Sequence, residues 1–188
     1  MADQLTVLVI CGSLRKHSYN AALTRALPAL APPDMKLVTA PAFDTLPFYN
    51  ADIQHSSGFP KAVEELAAAI RAADGVLFVS PEYNWSMPGA LKNAIDWVSR
   101  MHDHPFQQKP VAIQSCSTGI LGGARMQYHW RMSMTFLKAF IFGTPEVFVS
   151  QAQNKFDKDT LELTDQTTKD MVKTQLAAFA KFIVRIRE

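Results

Sequence analysis

Residues 75–80, Gly-Val-Leu-Phe-Val-Ser, form a short, uncharged run with no polar alternation. A strand that reads this way is buried on both faces, so other layers must pack above and below its sheet. The next stretch is Pro81-Glu82-Tyr83-Asn84-Trp85-Ser86-Met87-Pro88-Gly89, rich in proline, aromatic and polar side chains. Leu91, Ala94, Ile95 and Val98 then fall at i, i+3, i+4 and i+7, the stripe of an amphipathic helix. Strand, loop and helix in that order belong to a parallel sheet with helical crossovers, and such sheets bind ligands at the carboxyl ends of their strands. The loop at 81–88 is therefore expected to hold a flat ring with polar edges.

The same alternation runs along the chain. Residues 5–11 are a β-branched, near-continuous apolar run, hence a central strand, followed by a helix with Leu23, Ala26, Leu27 and Leu30 on its stripe. That helix stops before Pro32-Pro33, and 35–39 form a short second strand. A loop over 41–58 exceeds the roughly 12 to 15 residues usual in a compact domain, and its Leu46-Pro47-Phe48-Tyr49-Asn50 core points to an ordered, functional segment. A helix over 60–73 carries Val63, Leu66, Ala67 and Ile70. A fourth strand spans 109–116, a helix over 124–139 presents Met126, Trp130, Met134 and Leu137, and a fifth strand spans 145–149. Residues 151–168 are polar, with a small hairpin expected around 155–159, and an amphipathic helix closes the chain at 165–187. Strands alternating with helices predict a single α/β domain over 1–188 with right-handed crossovers. Five strands fit the flavodoxin-like three-layer sandwich with parallel order 2-1-3-4-5. In that order the loops after strands 1, 3 and 4 open side by side.

Charge and composition exclude several classes. A net charge of +2, with no Lys or Arg run longer than two, is no nucleic-acid footprint. The apolar runs fall short of the roughly 18 to 20 residues that span a bilayer, and the amino terminus lacks a signal-peptide pattern, so a cytoplasmic protein is expected. Cys11 and Cys116 end separate strands without a CxxC or histidine companion and read as reduced structural thiols. The five histidines share no ligand spacing, so no metal site is expected.

Three loops carry unusual chemistry. The first has neither the GxGxxG nor the GxxxxGKS/T pattern. It offers Gly12, the hydroxyls of Ser13 and Ser18, the cations Arg15 and Lys16 and the amide of Asn20 at the start of a helix. Helix-start N–H groups favour an anion, and a guanidinium binds phosphate bidentately, so this set suits a phosphate monoester. The plainer alternative is a helix start capped by Ser18 with solvated cations. In the loop after strand 3, backbone groups can meet the edge of a heterocycle, with Tyr83 or Trp85 against its face. Its alternative is a rigid helix start, with Pro88 in the first turn and the aromatics in the core. The loop after strand 4, Ser117-Thr118-Gly119 and then Gly122-Gly123, allows close backbone approach, or is merely a flexible lead-in. Together the three describe a site for a mononucleotide with a large flat base.

The motifs Gly12-Ser13-Leu14-Arg15-Lys16-x-Ser18-x-Asn20, Leu46-Pro47-x-Tyr49, Pro81-Glu82-Tyr83-Asn84, Pro88-Gly89-x-Leu91-Lys92-Asn93-Ala94-Ile95-Asp96-Trp97 and Gly122-Gly123-x-Arg125 resemble the NADPH-dependent FMN reductase family. Within it, the chain looks most like the bacterial chromate and quinone reductases. The resemblance implies a flavodoxin-like fold with non-covalent FMN. It places Ser13, Arg15, Ser18, Tyr19 and Asn20 around the FMN phosphate, Pro81, Glu82, Tyr83, Asn84 and Trp85 along the isoalloxazine, and Ser117 near its other edge. His17 and Trp85 stand where smaller residues are frequent, which bears on substrate preference. The implied activity is ping-pong: hydride passes from NAD(P)H to FMN, then two electrons pass to a quinone, with azo compounds, free flavins or chromate as further acceptors. No catalytic side chain is assigned; Arg125, Tyr128 and His129 line the substrate mouth or a subunit contact, or else belong to a solvated helix face. The family also implies dimers pairing into tetramers, for which Trp97, Met101, Trp130, Met132, Met134 and Phe136 are the apolar excess, core filling being the alternative for about half of it. A flavodoxin-type electron carrier without NAD(P)H turnover, or a flavin-free binding module, are the competing readings.

Overall fold

The computed structural model describes residues 4–187. The strands are β1 (Leu5–Cys11), β2 (Met35–Thr39), β3 (Gly75–Ser80), β4 (Pro110–Cys116), β5 (Phe140–Ile141) and β6 (Val147–Val149). The helices are α1 (Tyr19–Ala26), α2 (Ala51–Ser57), α3 (Lys61–Ala72), α4 (Gly89–Val98), α5 (Ala124–Phe136) and α6 (Gln166–Arg187). The strands form one parallel sheet in the order β2-β1-β3-β4-β5, with β6 also beside β4. This is the flavodoxin-like order the alternation predicts.

Alternate residues of each central strand feed opposite layers, as the absence of polar alternation requires. Val7, Val9, Leu77 and Val79 pack with Leu23, Leu176, Phe179 and Ile183 from α1 and α6. Leu8, Ile10, Val76 and Phe78 pack with Leu66, Ile70, Leu91, Trp97 and Trp130 from α3, α4 and α5. β3 and β4 are buried along their whole length.

Three details differ from expectation. The loop over 41–58 contains α2, which buries none of its residues and so offers no apolar stripe to read. The loop is ordered as expected, because the Pro47 carbonyl accepts from Asn93 Nδ2 at 2.9 Å and Trp97 Nε1 at 2.8 Å. The last strand is split: β5 and β6 both pair with β4, and the gap between them is closed from α6, where Gln175 Nε2 donates to the carbonyls of Ile113 and Pro145. The expected hairpin around 155–159 is a single antiparallel bridge, Phe156 to Leu163.

Candidate functional site

The loop over 12–18 leaves β1 in direct contact with β3 and α4. A Cβ on Gly12 would stand 2.5 Å from Ser80 Oγ and 2.9 Å from Leu91 Cδ2, so no larger residue fits. Ser18 caps α1, as the plainer alternative has it, its hydroxyl accepting from the N–H groups of Asn20 and Ala21. Among the described residues, the main-chain N–H groups of Ser13, Leu14, Arg15, Lys16 and His17 have no protein acceptor. Consecutive donors without partners at a helix start make an anion nest. Arg15 adds an exposed guanidinium, held by a bond from Nη2 to the His17 carbonyl at 3.1 Å. This donor set fits a phosphate monoester. Of the remaining two residues of the expected phosphate group, Asn20 is committed elsewhere and Tyr19 packs only its ring. Tyr19 sets its ring against Phe156 at 5.3 Å, and the buried Asn20 directs its amide to the main chain of Cys116.

The loop over 81–88 is a miniature hairpin. Tyr83 and Ser86 exchange main-chain hydrogen bonds of 2.9 Å each, and Asn84 and Trp85 between them have φ of 50° and 65°. Two positive φ values define a type I′ turn, which Asn-Gly suits and Asn-Trp does not. Pro81 is buried, whereas Tyr83 and Trp85 are 46% and 64% exposed, so the aromatics are not core. Pro88 caps α4 rather than entering its first turn. The N–H groups of Glu82, Asn84 and Trp85 have no acceptor among the described residues, which leaves a donor edge on the rim.

This hairpin is fastened to the start of α5. Glu82 Oε2 accepts from the Met126 N–H at 3.0 Å, Arg125 lies over the Trp85 ring at 4.1 Å, and Ser86 Oγ meets His129 Nδ1 at 3.3 Å. The sequence left Arg125 and His129 open between the substrate mouth, a subunit contact and a solvated helix face, and gave no sign of these links.

The loop over 117–123 is built rather than slack. Ser117 donates its N–H to the Val149 carbonyl, and its hydroxyl accepts from Gly119 N–H. Ser115 Oγ donates to the Gly122 carbonyl at 2.6 Å, and Gln127 Nε2 donates to Ser115 Oγ and to the Val147 carbonyl, both at 2.8 Å. Gly122 and Gly123 have positive φ, and a Cβ on Gly123 would stand 2.7 Å from that of Ser115. Gln127 and Ser115 were missed because a buried amide on an apolar stripe leaves no pattern. Cys11 and Cys116 are free thiols, and burial pushes that of Cys116 up to about 12, too weak an acid for a nucleophile at neutral pH.

The three loops thus share one rim, joined by Gly12 against Ser80, Glu82 to α5, and Asn20 to the end of β4. A separate groove of about 720 Å³ lies between the carboxyl-terminal halves of α4 and α5, lined by Asp96, Arg100, Phe106, Met132 and Phe136. It contains none of the loop residues.

Against known proteins, the family model described as NADPH-dependent FMN reductase matches residues 5–154. A quinone reductase of Escherichia coli strain K12 is 49% identical over 187 residues, covering all of both chains. An NAD(P)H-dependent FMN reductase of Pseudomonas aeruginosa is 45% identical, again over the full length of both. Among solved structures, the flavoenzyme NAD(P)H:(acceptor) oxidoreductase FerB of Paracoccus denitrificans superposes with a TM-score of 0.85 at 31% identity, covering 96% of this chain and 98% of the other.

Proposed function

This chain belongs to the NADPH-dependent FMN reductase family, and from that premise we propose that it is an FMN-dependent NAD(P)H:quinone oxidoreductase. The observation that carries the reading is the run of unpartnered N–H groups from Ser13 to His17, on the same rim as the donor edge of the 81–88 hairpin. A phosphate and a polar-edged ring are what those two surfaces accept. FMN held there would supply the redox chemistry, a hydride acceptor toward NAD(P)H and a two-electron donor toward a quinone.

The protein's own contribution is binding and orientation. Ser13, Arg15 and Ser18 hold the phosphate, with Arg15 supplying charge and the nest supplying directed donors. Pro81, Glu82, Tyr83, Asn84 and Trp85 border the ring along one edge, and Ser117 borders the other. Within that border Glu82 works by anchoring the hairpin to α5. Tyr83 and Trp85 are the exposed apolar surfaces at the mouth, suited to flat acceptors such as quinones. Azo compounds, free flavins and chromate complete the acceptor range we infer. No side chain is assigned as an acid or base. The described part of the chain acts as one domain of the 1–188 unit, and we place it in the cytoplasm. No helix among the described residues is long and apolar enough to cross a membrane.

Comparing FMN with riboflavin tests the phosphate assignment. The nest and Arg15 should make FMN bind at least about 100-fold more tightly, two charge-assisted hydrogen bonds being sufficient for that. Arg15→Ala should narrow the gap by about tenfold without changing riboflavin affinity. Equal affinities for the two flavins in the unaltered protein would remove the nest from the account.

A further inference from the structure

We infer that Asn20 is a positioning residue which locks the phosphate nest to the loop bearing Ser117, rather than a ligand of the phosphate. The inference rests on the flavin reading of the rim and assigns one of its residues a different task.

The hydrogen-bonding capacity of Asn20 is largely committed. Its Nδ2 donates to the Cys116 carbonyl at 2.9 Å, and its Oδ1 accepts from the Cys116 N–H at 3.0 Å. Its own main-chain N–H donates to Ser18 Oγ, and its carbonyl accepts from Thr24 Oγ1. The residue is 3% exposed, and Cys116 is 2% exposed. A side-chain amide carries a donor and an acceptor side by side, as a peptide unit does, so it can pair with a strand residue as a neighbouring strand would.

The sheet explains why such a pairing is needed here. The ladder between β3 and β4 ends at the pair Ser80 and Ser115. Beyond that pair the chain leaves the sheet for the 81–88 hairpin, so no residue of β3 lies beside Cys116. Cys116, the last residue of β4, would then be left with buried main-chain groups unpaired, a cost of about 1–3 kcal/mol each. Asn20 supplies both partners from the first turn of α1. Because Ser117 follows directly and is itself bonded to Val149, the position of α1 fixes the start of the ring-edge loop. The two ends of the flavin site are thereby mechanically one piece, through residues 96 apart in sequence.

Titration of wild-type apoprotein and Asn20→Ala with FMN and with riboflavin separates the two roles. A phosphate ligand would weaken FMN alone. The positioning role predicts that both flavins lose affinity by the same factor, about tenfold, with a displaced visible absorption band of the bound flavin. Loss confined to FMN, or a lower thermal midpoint with affinity and absorption band unchanged, would overturn the inference. Should Asn20→Ala fail to fold, hydrogen exchange on the wild-type protein decides: inorganic phosphate should slow exchange at the amides of Cys116 and Ser117, and no effect there would sink the coupling. If the wild type binds neither flavin, the flavin reading itself fails, while the phosphate-exchange result still decides the role of Asn20.

Discussion

Trp85 shows how much a single residue can depart from its local preference. A bulky side chain in the left-handed region costs about 1–2 kcal/mol, and the Arg125 guanidinium stacked on the ring offsets about 0.5–1 kcal/mol of it. Alanine at position 85 keeps the unfavourable φ and loses the stack, while glycine loses the stack but is relieved of the φ cost. Trp85→Gly should therefore be more stable than Trp85→Ala by about 1 kcal/mol, the reverse of the usual order. Urea denaturation of the pair measures this, and alanine as the more stable of the two would show that the turn does not hold the positive φ. Acceptor preference should change in both variants, since an aromatic that is 64% exposed at the rim is removed in each. None of this is visible in the sequence, where Asn84-Trp85 lacks the glycine that announces a type I′ turn.

Among elements, α6 offers a titration with a clear sign. Asp165 Oδ2 accepts from the Thr168 N–H at 2.8 Å and Thr168 Oγ1 at 2.6 Å, and these bonds hold its carboxyl below the ordinary value of 3.8. A depressed folded pKa gives stability that is present above the unfolded value and lost as pH falls through the folded one. Asp165→Ala should cost about 1 kcal/mol at pH 7, and the difference from wild type should shrink only below about pH 4. A difference that fades between pH 7 and pH 5 would contradict the assignment. The elements also show what could be read in advance. β1, β3 and β4 announced themselves by apolar runs, and α3, α4 and α6 by stripes, because burial itself imposes those patterns. β5 has only two residues and α2 buries none, so neither leaves a periodic trace. The donor-rich character of the 12–18 loop was legible from composition. The commitment of Asn20 to Cys116 was not, since it depends on where a distant strand ends.

For the whole molecule, the apolar excess on α4 and α5 divides in two. Trp97, Trp130 and Met134 are fully buried and Met101 packs partly buried against the same cluster, so they belong to the core and not to a subunit surface. Met132 and Phe136 are 71% and 85% exposed, and Tyr128, outside that excess, is 53% exposed on the same helix as both. The latter three fall at i, i+4 and i+8 and form one stripe along α5. A stripe of that kind suits self-association as a dimer or tetramer. Light scattering should give a species at a multiple of 20.9 kDa, and Phe136→Asp should shift it toward the monomer; a wild-type protein at the single-chain mass would exclude the idea. The central claim, that one rim binds FMN and passes reducing equivalents from a nicotinamide to a quinone, has a more direct test. Purified protein carrying FMN is mixed anaerobically with NADPH or NADH, then with a benzoquinone, and the flavin absorbance is followed. Bleaching within seconds by at least one nicotinamide, and full recovery of the yellow colour on adding the quinone, are expected. Flavin that binds but stays oxidised under both nicotinamides would mark an electron carrier instead, and a protein that takes up no FMN would contradict the account at its root.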